Sequence, residues 1–232
     1  GLAVSKPLPL ARYKIVESKA AEFYGLDKTP IEVEIEYAGQ IVKASMTNKS
    51  LSTNVSIKKT GYAQVMPGQP IRYTLTQIGN TSTVPLESFY WRDTLPAQVR
   101  LDKIITGTYS ARLNYKVVFQ TNLSNTQRVL ADNLNTLQNY TLDASPAALG
   151  LASNEYVTQV TFLFGRVPGG FRQVETPYIY CDVLSDLPHE YRFANKCDVG
   201  GMWRNQWIQA TDRWVTIIYR GGPVPTLPRT GY

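Results

Sequence analysis

The stretch Ile71-Arg72-Tyr73-Thr74-Leu75-Thr76-Gln77-Ile78 alternates apolar and polar residues. Alternation with period two places successive side chains on opposite faces of an extended backbone, so it specifies a half-buried strand and opposes a helix. Pro67-Gly68-Gln69-Pro70 stands in front of it and Asn80 to Thr83 behind it, and both are turn chemistry. The pattern recurs along the chain. Ile31-Glu32-Val33-Glu34-Ile35-Glu36-Tyr37 is apolar on one face and acidic on the other. Arg12 to Val16, Val55 to Thr60, Phe89 to Asp93, Arg100 to Thr106, Leu113 to Thr121, Tyr156 to Phe164, Pro177 to Val183, Tyr191 to Val199 and Arg213 to Tyr219 also read as strands. Ala38-Gly39-Gln40 predicts a turn returning through Ile41 to Met46 as a hairpin. Helix is expected only as single turns, at Gln127 to Asn133 and at Ser145 to Leu149, the latter with Ser145 as cap and Pro146 in first position. The expected fold class is all-β.

The punctuation divides the chain. Residues 1–49 give three or four strands, few for an independent core. Residues 50–54 are a polar linker, 55–220 carry turns at intervals suited to an Ig-like β-sandwich, and 221–232 form a Pro/Gly tail. The hydrophobic share of 43% allows a sizeable core in 232 residues. The net charge of +6 comes from singly scattered residues such as Arg72, Arg92, Arg100 and Lys103. Nucleic-acid binders concentrate basic residues in a stripe, so no nucleic-acid partner is expected. No apolar run approaches the ~18 residues of a membrane span, and no cofactor motif or metal-ligand spacing is present.

The residues able to do chemistry are few. Cys181 and Cys197 lie on two segments joined by one turn, so they read either as a disulfide across a hairpin or, more simply, as two buried thiols. His189 stands alone at a turn with no nucleophile elbow to serve. Glu87, Asp93, Glu155, Glu175 and Asp212 offer carboxylates, but nothing in the sequence pairs two of them for glycoside hydrolysis. Asp93, ahead of Thr94-Leu95-Pro96, reads as a turn-capping acid. Trp91 and Trp214 are expected in the core, while Trp203 and Trp207, in a connection at Asn205 to Ala210, are candidates for stacking on a sugar ring.

The tail ends in Leu227-Pro228-Arg229-Thr230-Gly231. This pentapeptide resembles the Leu-Pro-x-Thr-Gly sorting signal of Gram-positive surface proteins, in which a sortase cysteine attacks the Thr-Gly bond. Tyr13, Ile15, Glu17, Ala20 and Tyr24, after Leu8-Pro9-Leu10 and before Thr47-Asn48-Lys49, resemble the C-terminal half of a Cna-B-like (prealbumin-like) pilin domain. Ala21 and Phe23 depart from its Pro and Gly. The resemblance implies an isopeptide site in which Glu17 is the acid, Asn48 the acceptor, and the lysine lies on the first half of the domain, ahead of Gly1. Lys59-Thr60, Pro67-Gly68, Tyr73-Thr74-Leu75-Thr76 and Asp93-Thr94-Leu95-Pro96 resemble the Ig-like repeat of bacterial wall proteins. In some relatives of the pilin fold an Asp assists a bond between a first-strand Lys and a last-strand Asn. Lys58 or Lys59 suits that lysine, but the last segment, Arg213 to Tyr219, holds no Asn, so no second bond is expected.

Together these resemblances imply the C-terminal part of a longer secreted protein anchored to a Gram-positive cell wall. Its expected role is a structural stalk or pilus subunit rather than an enzyme, with adhesion or carbohydrate binding by exposed aromatics as the alternative. The implied partners are a sortase, with peptidoglycan or other pilus subunits, and a host glycan or matrix protein. Membrane association would come only through a sorting tail beyond Tyr232.

Overall fold

The structure, a computed structural model, describes residues 2–21 and 23–221. The chain divides into two compact units after Ser52. The Leu227 to Gly231 pentapeptide lies outside the described residues.

In the first unit, β1 (Ala11–Ile15) pairs antiparallel with β2 (Ile31–Ile35), Tyr13 opposite Val33. The polar phase is knitted by exposed ion pairs, Arg12 to Glu34 at 3.0 Å and Lys14 to Glu32 at 3.1 Å. The expected hairpin from Ile31 through Met46 does not form. The Gln40 side chain takes the backbone groups that a returning strand would have used: its Oε1 accepts from the Glu36 and Tyr37 amides, and its Nε2 donates to the Glu34 carbonyl. The unit closes through Gly25, whose amide donates to Lys49 O at 2.8 Å, and Leu51, whose amide donates to Phe23 O at 2.6 Å.

The second unit is a two-layer Ig-like sandwich. Its strands are β3 (Val55–Thr60), β4 (Gln64–Val65), β5 (Pro70–Asn80), β6 (Leu86–Thr94), β7 (Val99–Ile105), β8 (Asn114–Thr121), β9 (Ser124–Asn135), β10 (Thr141–Asp143), β11 (Val157–Val167), β12 (Tyr178–Val183), β13 (Arg192–Trp203) and β14 (Gln206–Ile218). One sheet runs β10-β7-β12-β5-β3 and the other β4-β14-β13-β6-β11-β8-β9. Short β4 runs parallel to β14, while the other pairings are antiparallel.

Three local expectations change. Gln127 to Asn133 is strand rather than helix, because it completes the edge of β8, whose backbone groups a lone helical turn would leave unpaired. Asn205 to Ala210 is no loop. Arg204 and Asn205, with φ of 48° and 62°, make a two-residue turn of the kind that matches strand twist, and β14 starts directly after it. The turn at Ser185 to His189 does not join neighbours, since β12 and β13 belong to different sheets. The turn at Ser145 is as expected: the Leu149 amide donates to Ser145 O at 3.0 Å and the Ala148 amide to its Oγ.

Between the sheets lies an aromatic stack. Trp91 lies on Phe162 with ring centroids 3.8 Å apart, and Tyr109, Tyr115, Phe164 and Phe171 continue it. Trp91 Nε1 donates to Tyr109 Oη at 2.9 Å, and Tyr109 Oη donates on to Thr106 O at 3.3 Å, while among the described residues Tyr115 Oη has no partner. Phe162→Ala is expected to lower the unfolding free energy by about 3–5 kcal/mol, read from urea midpoints. The exposed edge change Val129→Ala is expected to stay within about 0.5 kcal/mol.

Candidate functional site

Alternation decides what each strand sends inward. Along β3 the inward series is Val55, Ile57, Lys59, and Lys58 points out. Along β6 it includes Phe89, Trp91 and Asp93, and along β13 Phe193, Asn195, Cys197 and Val199. Each series therefore carries one polar residue in an apolar phase. Lys59, Asp93 and Asn195 are all buried.

They meet. Lys59 Nζ is in direct contact with Asp93 Oδ2, both side chains being fully shielded from solvent. The Lys59 backbone amide donates to Asp212 Oδ2 at 2.9 Å, which fixes β3 against the opposite sheet. The Asn195 carboxamide lies close enough to Asp93 to influence its carboxyl, yet among the described residues no hydrogen bond closes on Asp93 Oδ1 or on either polar atom of Asn195. Burial raises the Asp93 pKa, and the nearby Lys59 offsets this in part.

The walls are Tyr73, the two cysteines and Thr216. Lys59 Nζ sits 4.9 Å from the Tyr73 ring centroid. Burial raises both thiols, Cys181 well above its usual range and Cys197 to about 12. Gly61 lets the chain pass: a Cβ there would sit 3.0 Å from both the Trp214 and Tyr73 rings. Beyond it, the Tyr62 carbonyl accepts from Trp214 Nε1 at 3.1 Å and Thr216 Oγ1 at 2.8 Å.

Several sequence expectations are thereby revised. Asp93 is no turn-capping acid but the most buried carboxylate of its set. The last strand holds no asparagine, while Asn195 stands on β13, the strand before it, in the apolar phase of Phe193, Cys197 and Val199. Cys181 and Cys197 are free, buried thiols on opposing sheets and not on one hairpin. In the first unit the structure brings Glu17 and Asn48 together: Asn48 Nδ2 donates to Glu17 Oε1 at 2.7 Å, and Glu17 Oε2 and Asn48 Oδ1 are buried without partners among the described residues.

The remaining candidates are engaged elsewhere. Glu155 pairs with Arg128, Glu87 with Arg166, and Glu175 accepts from Asn139. His189 Nδ1 accepts from the Arg220 amide at 2.9 Å and pins the exit of β14. Trp91 fills the core, Trp203 is half-buried against Arg204, and Trp207 is 55% exposed, edge-on to Tyr90. Among the described residues no three His, Cys, Asp or Glu side chains gather as a metal site.

A family model described as SpaA, a prealbumin-like fold domain, matches residues 1–50. No curated protein sequence matches the chain. Among solved structures, the chain is similar to BcpA, the major pilin subunit of Bacillus cereus, at 13% identity and a TM-score of 0.39, covering 91% of this chain and 56% of that one. It is similar to the T6 backbone pilin of serotype M6 Streptococcus pyogenes at 13% identity and 0.34, covering 92% and 47%. It is also similar to ACE19, the collagen binding subdomain of the Enterococcus faecalis surface protein ACE, at 12% identity and 0.33, covering 72% and 96%. The chain thus spans about half the length of the two pilins.

Lys59→Met leaves the Asp93 carboxyl buried without its cation. Its folded pKa then lies above the unfolded value of about 3.9, so the folded chain holds a proton that the unfolded chain gives up. Stability is full below that pH and falls as the pH rises toward the folded value, by up to about 1.4 kcal/mol per pH unit. The urea midpoint of Lys59→Met is expected to drop between about pH 5 and about pH 7, and that of Lys59→Met/Asp93→Asn to stay flat.

Proposed function

We propose that the second unit closes an amide bond between Lys59 Nζ and Asn195 Cγ, and that the chain serves as a covalently stiffened stalk of a surface or pilus protein. The observation that supports this is the shared burial of Lys59, Asp93 and Asn195, with the Asn195 carboxamide, among the described residues, left unpartnered beside the Lys59–Asp93 contact. The reaction is a single turnover on the chain itself. The amine adds to Cγ, the Nζ–Cγ bond forms, the Cγ–Nδ2 bond breaks and ammonia leaves. Asp93 returns to its starting state by giving one proton to the leaving nitrogen and taking one from Nζ.

Such a bond suits a stalk. Lys59 lies on the first strand of the sandwich and Asn195 on the strand before the last. A pull applied at the two ends would pass through the amide, and everything between those residues would drop out of the load path. In the first unit, Glu17 and Asn48 fit the acid and acceptor of an equivalent site. The closing Leu227 to Gly231 pentapeptide fits a sortase substrate, joined through Thr230 to peptidoglycan or to another pilus subunit outside a Gram-positive cell.

The intact mass of the folded chain is expected to fall short of the sequence mass by one ammonia, about 17 Da. Lys59→Ala, Asn195→Ala and Asp93→Ala are each expected to show the full mass, and full mass in the unaltered chain would sink the covalent reading. Incubation with a sortase and triglycine is expected to exchange Gly231-Tyr232 for the peptide, and Thr230→Ala to abolish the exchange. An unchanged C-terminus in the parent chain would show that the pentapeptide is not a sortase substrate.

A further inference from the structure

Asp93, Asn195 and Tyr73 share one unusual property. Asp93 Oδ1, Tyr73 Oη and both polar atoms of Asn195 are buried and, among the described residues, without a hydrogen-bond partner. Four orphaned atoms in one part of the core are costly unless they serve one another at some stage.

Strand geometry brings the phenol into this group. β3 and β5 are neighbours, with Lys59 opposite Leu75 and Thr60 opposite Thr74. Tyr73 and Leu75 both point inward, so Tyr73 lies diagonally beside Lys59 and its ring forms a wall of the lysine site. The side chain is fully buried and carries its hydroxyl across to the opposing sheet, where its neighbours are Asn195 and Thr216.

An inventory of donors then separates the roles. The Thr216 hydroxyl proton is committed to Tyr62 O. In the proposed reaction the Lys59 amine is the nucleophile, and the Asp93 carboxyl is committed to relaying a proton to the leaving nitrogen. The thiols of Cys181 and Cys197 are weak donors. The Tyr73 hydroxyl is the strong donor left, and burial holds its pKa far above any working pH, so it keeps its proton.

We propose that Tyr73 is the donor to the carboxamide oxygen of Asn195 while the Lys59–Asn195 amide forms. This rests on the reading of that bond given above. The orphaned atoms pair in one sense: Tyr73 O–H to Asn195 Oδ1, and Asn195 Nδ2 to Asp93 Oδ1. When the Lys59 nitrogen adds to Cγ, the carbonyl electron pair moves onto Oδ1, where the phenol hydrogen bond meets it. Asp93 gives its proton to Nδ2 as its other oxygen takes one from Nζ, the pair on Oδ1 returns to Cγ, and ammonia departs. Tyr73 ends as it began, protonated, so it stabilises the developing charge and transfers nothing. Asp93 is thereby freed from binding oxygen and serves the nitrogens alone.

The test uses the full chain, purified unlinked in urea and diluted into folding buffer, with folding followed by tryptophan fluorescence and bond formation by intact mass and released ammonia. Tyr73→Phe keeps the ring and removes the donor. It is expected to fold with the parent's amplitude and to form the amide about ten- to a hundredfold more slowly, with the shape of the rate–pH profile unchanged. 4-Aminophenylalanine at position 73, which restores an N–H donor, is expected to recover most of the rate. If Tyr73→Phe folds poorly, 4-fluorophenylalanine fills the hydroxyl's place without a donor and gives the same comparison. Parent-like rates in the donor-free variants would overturn the role of Tyr73 while leaving the amide in place. A parent chain that folds and releases no ammonia would overturn the Lys59–Asn195 bond itself.

Discussion

The contact between Lys59 and Asp93 is the constraint around which the second unit is arranged. It joins the edge strand of the five-stranded sheet to the centre of the seven-stranded sheet through two side chains with no access to water. Desolvating either group alone would be prohibitive, and removing one partner of such a pair typically costs about 3–5 kcal/mol because the other is left behind. The neighbours are consistent with that demand. Asp212 holds the Lys59 backbone, and Gly61 leaves room for the chain to turn past Trp214 and Tyr73. Ile57, Tyr73, Cys181 and Cys197 fill the surroundings with apolar or weakly polar volume.

The aromatic stack does the complementary work. Trp91 and Asp93 share one strand and one face, so the rings that hold β6 against β11 also set where the carboxyl sits. A shift of register by one residue would carry Trp91 and Asp93 together to the solvent side. The bulk of the apolar burial and the polar site are therefore specified by the same register, and neither can be lost without the other.

Most of the strands were legible because alternation and turn residues are local signals. What was missed was non-local. Ser185 to His189 has the chemistry of a tight turn, and only the competition between two sheets for β12 and β13 decides that it bridges layers. Gln127 to Asn133 is polar enough for a loop or a helical turn, and becomes strand because β8 offers an edge. The site itself was half-visible. Lys59 follows Val55 and Ile57 in phase, Asp93 follows Phe89 and Trp91, and Asn195 stands between Phe193 and Cys197. At Asp93 a turn signal, Thr94-Leu95-Pro96, competed with the phase and the phase won. At Asn195 the phase is intact, but a single polar residue between Phe193 and Cys197 does not say which residues face it from the other sheet. For Glu17 and Asn48, the residues were legible and their contact was not, since it closes across a unit with few strands to fix their separation.

A polar residue in the apolar phase of a strand is ordinarily a defect that packing and hydrogen bonding must repair. Here three such residues converge, and one contact, Lys59 to Asp93, is closed while the carboxamide beside it, among the described residues, is not. A site selected only for stability would have satisfied Asn195 or replaced it with an apolar residue of similar size, because an unpartnered buried amide weakens the core. Under the proposed function that cost would be offset by a covalent gain: an amide between the two sheets would free the sandwich from the non-covalent balance at that point, so the unlinked arrangement would have only to be stable enough to fold once.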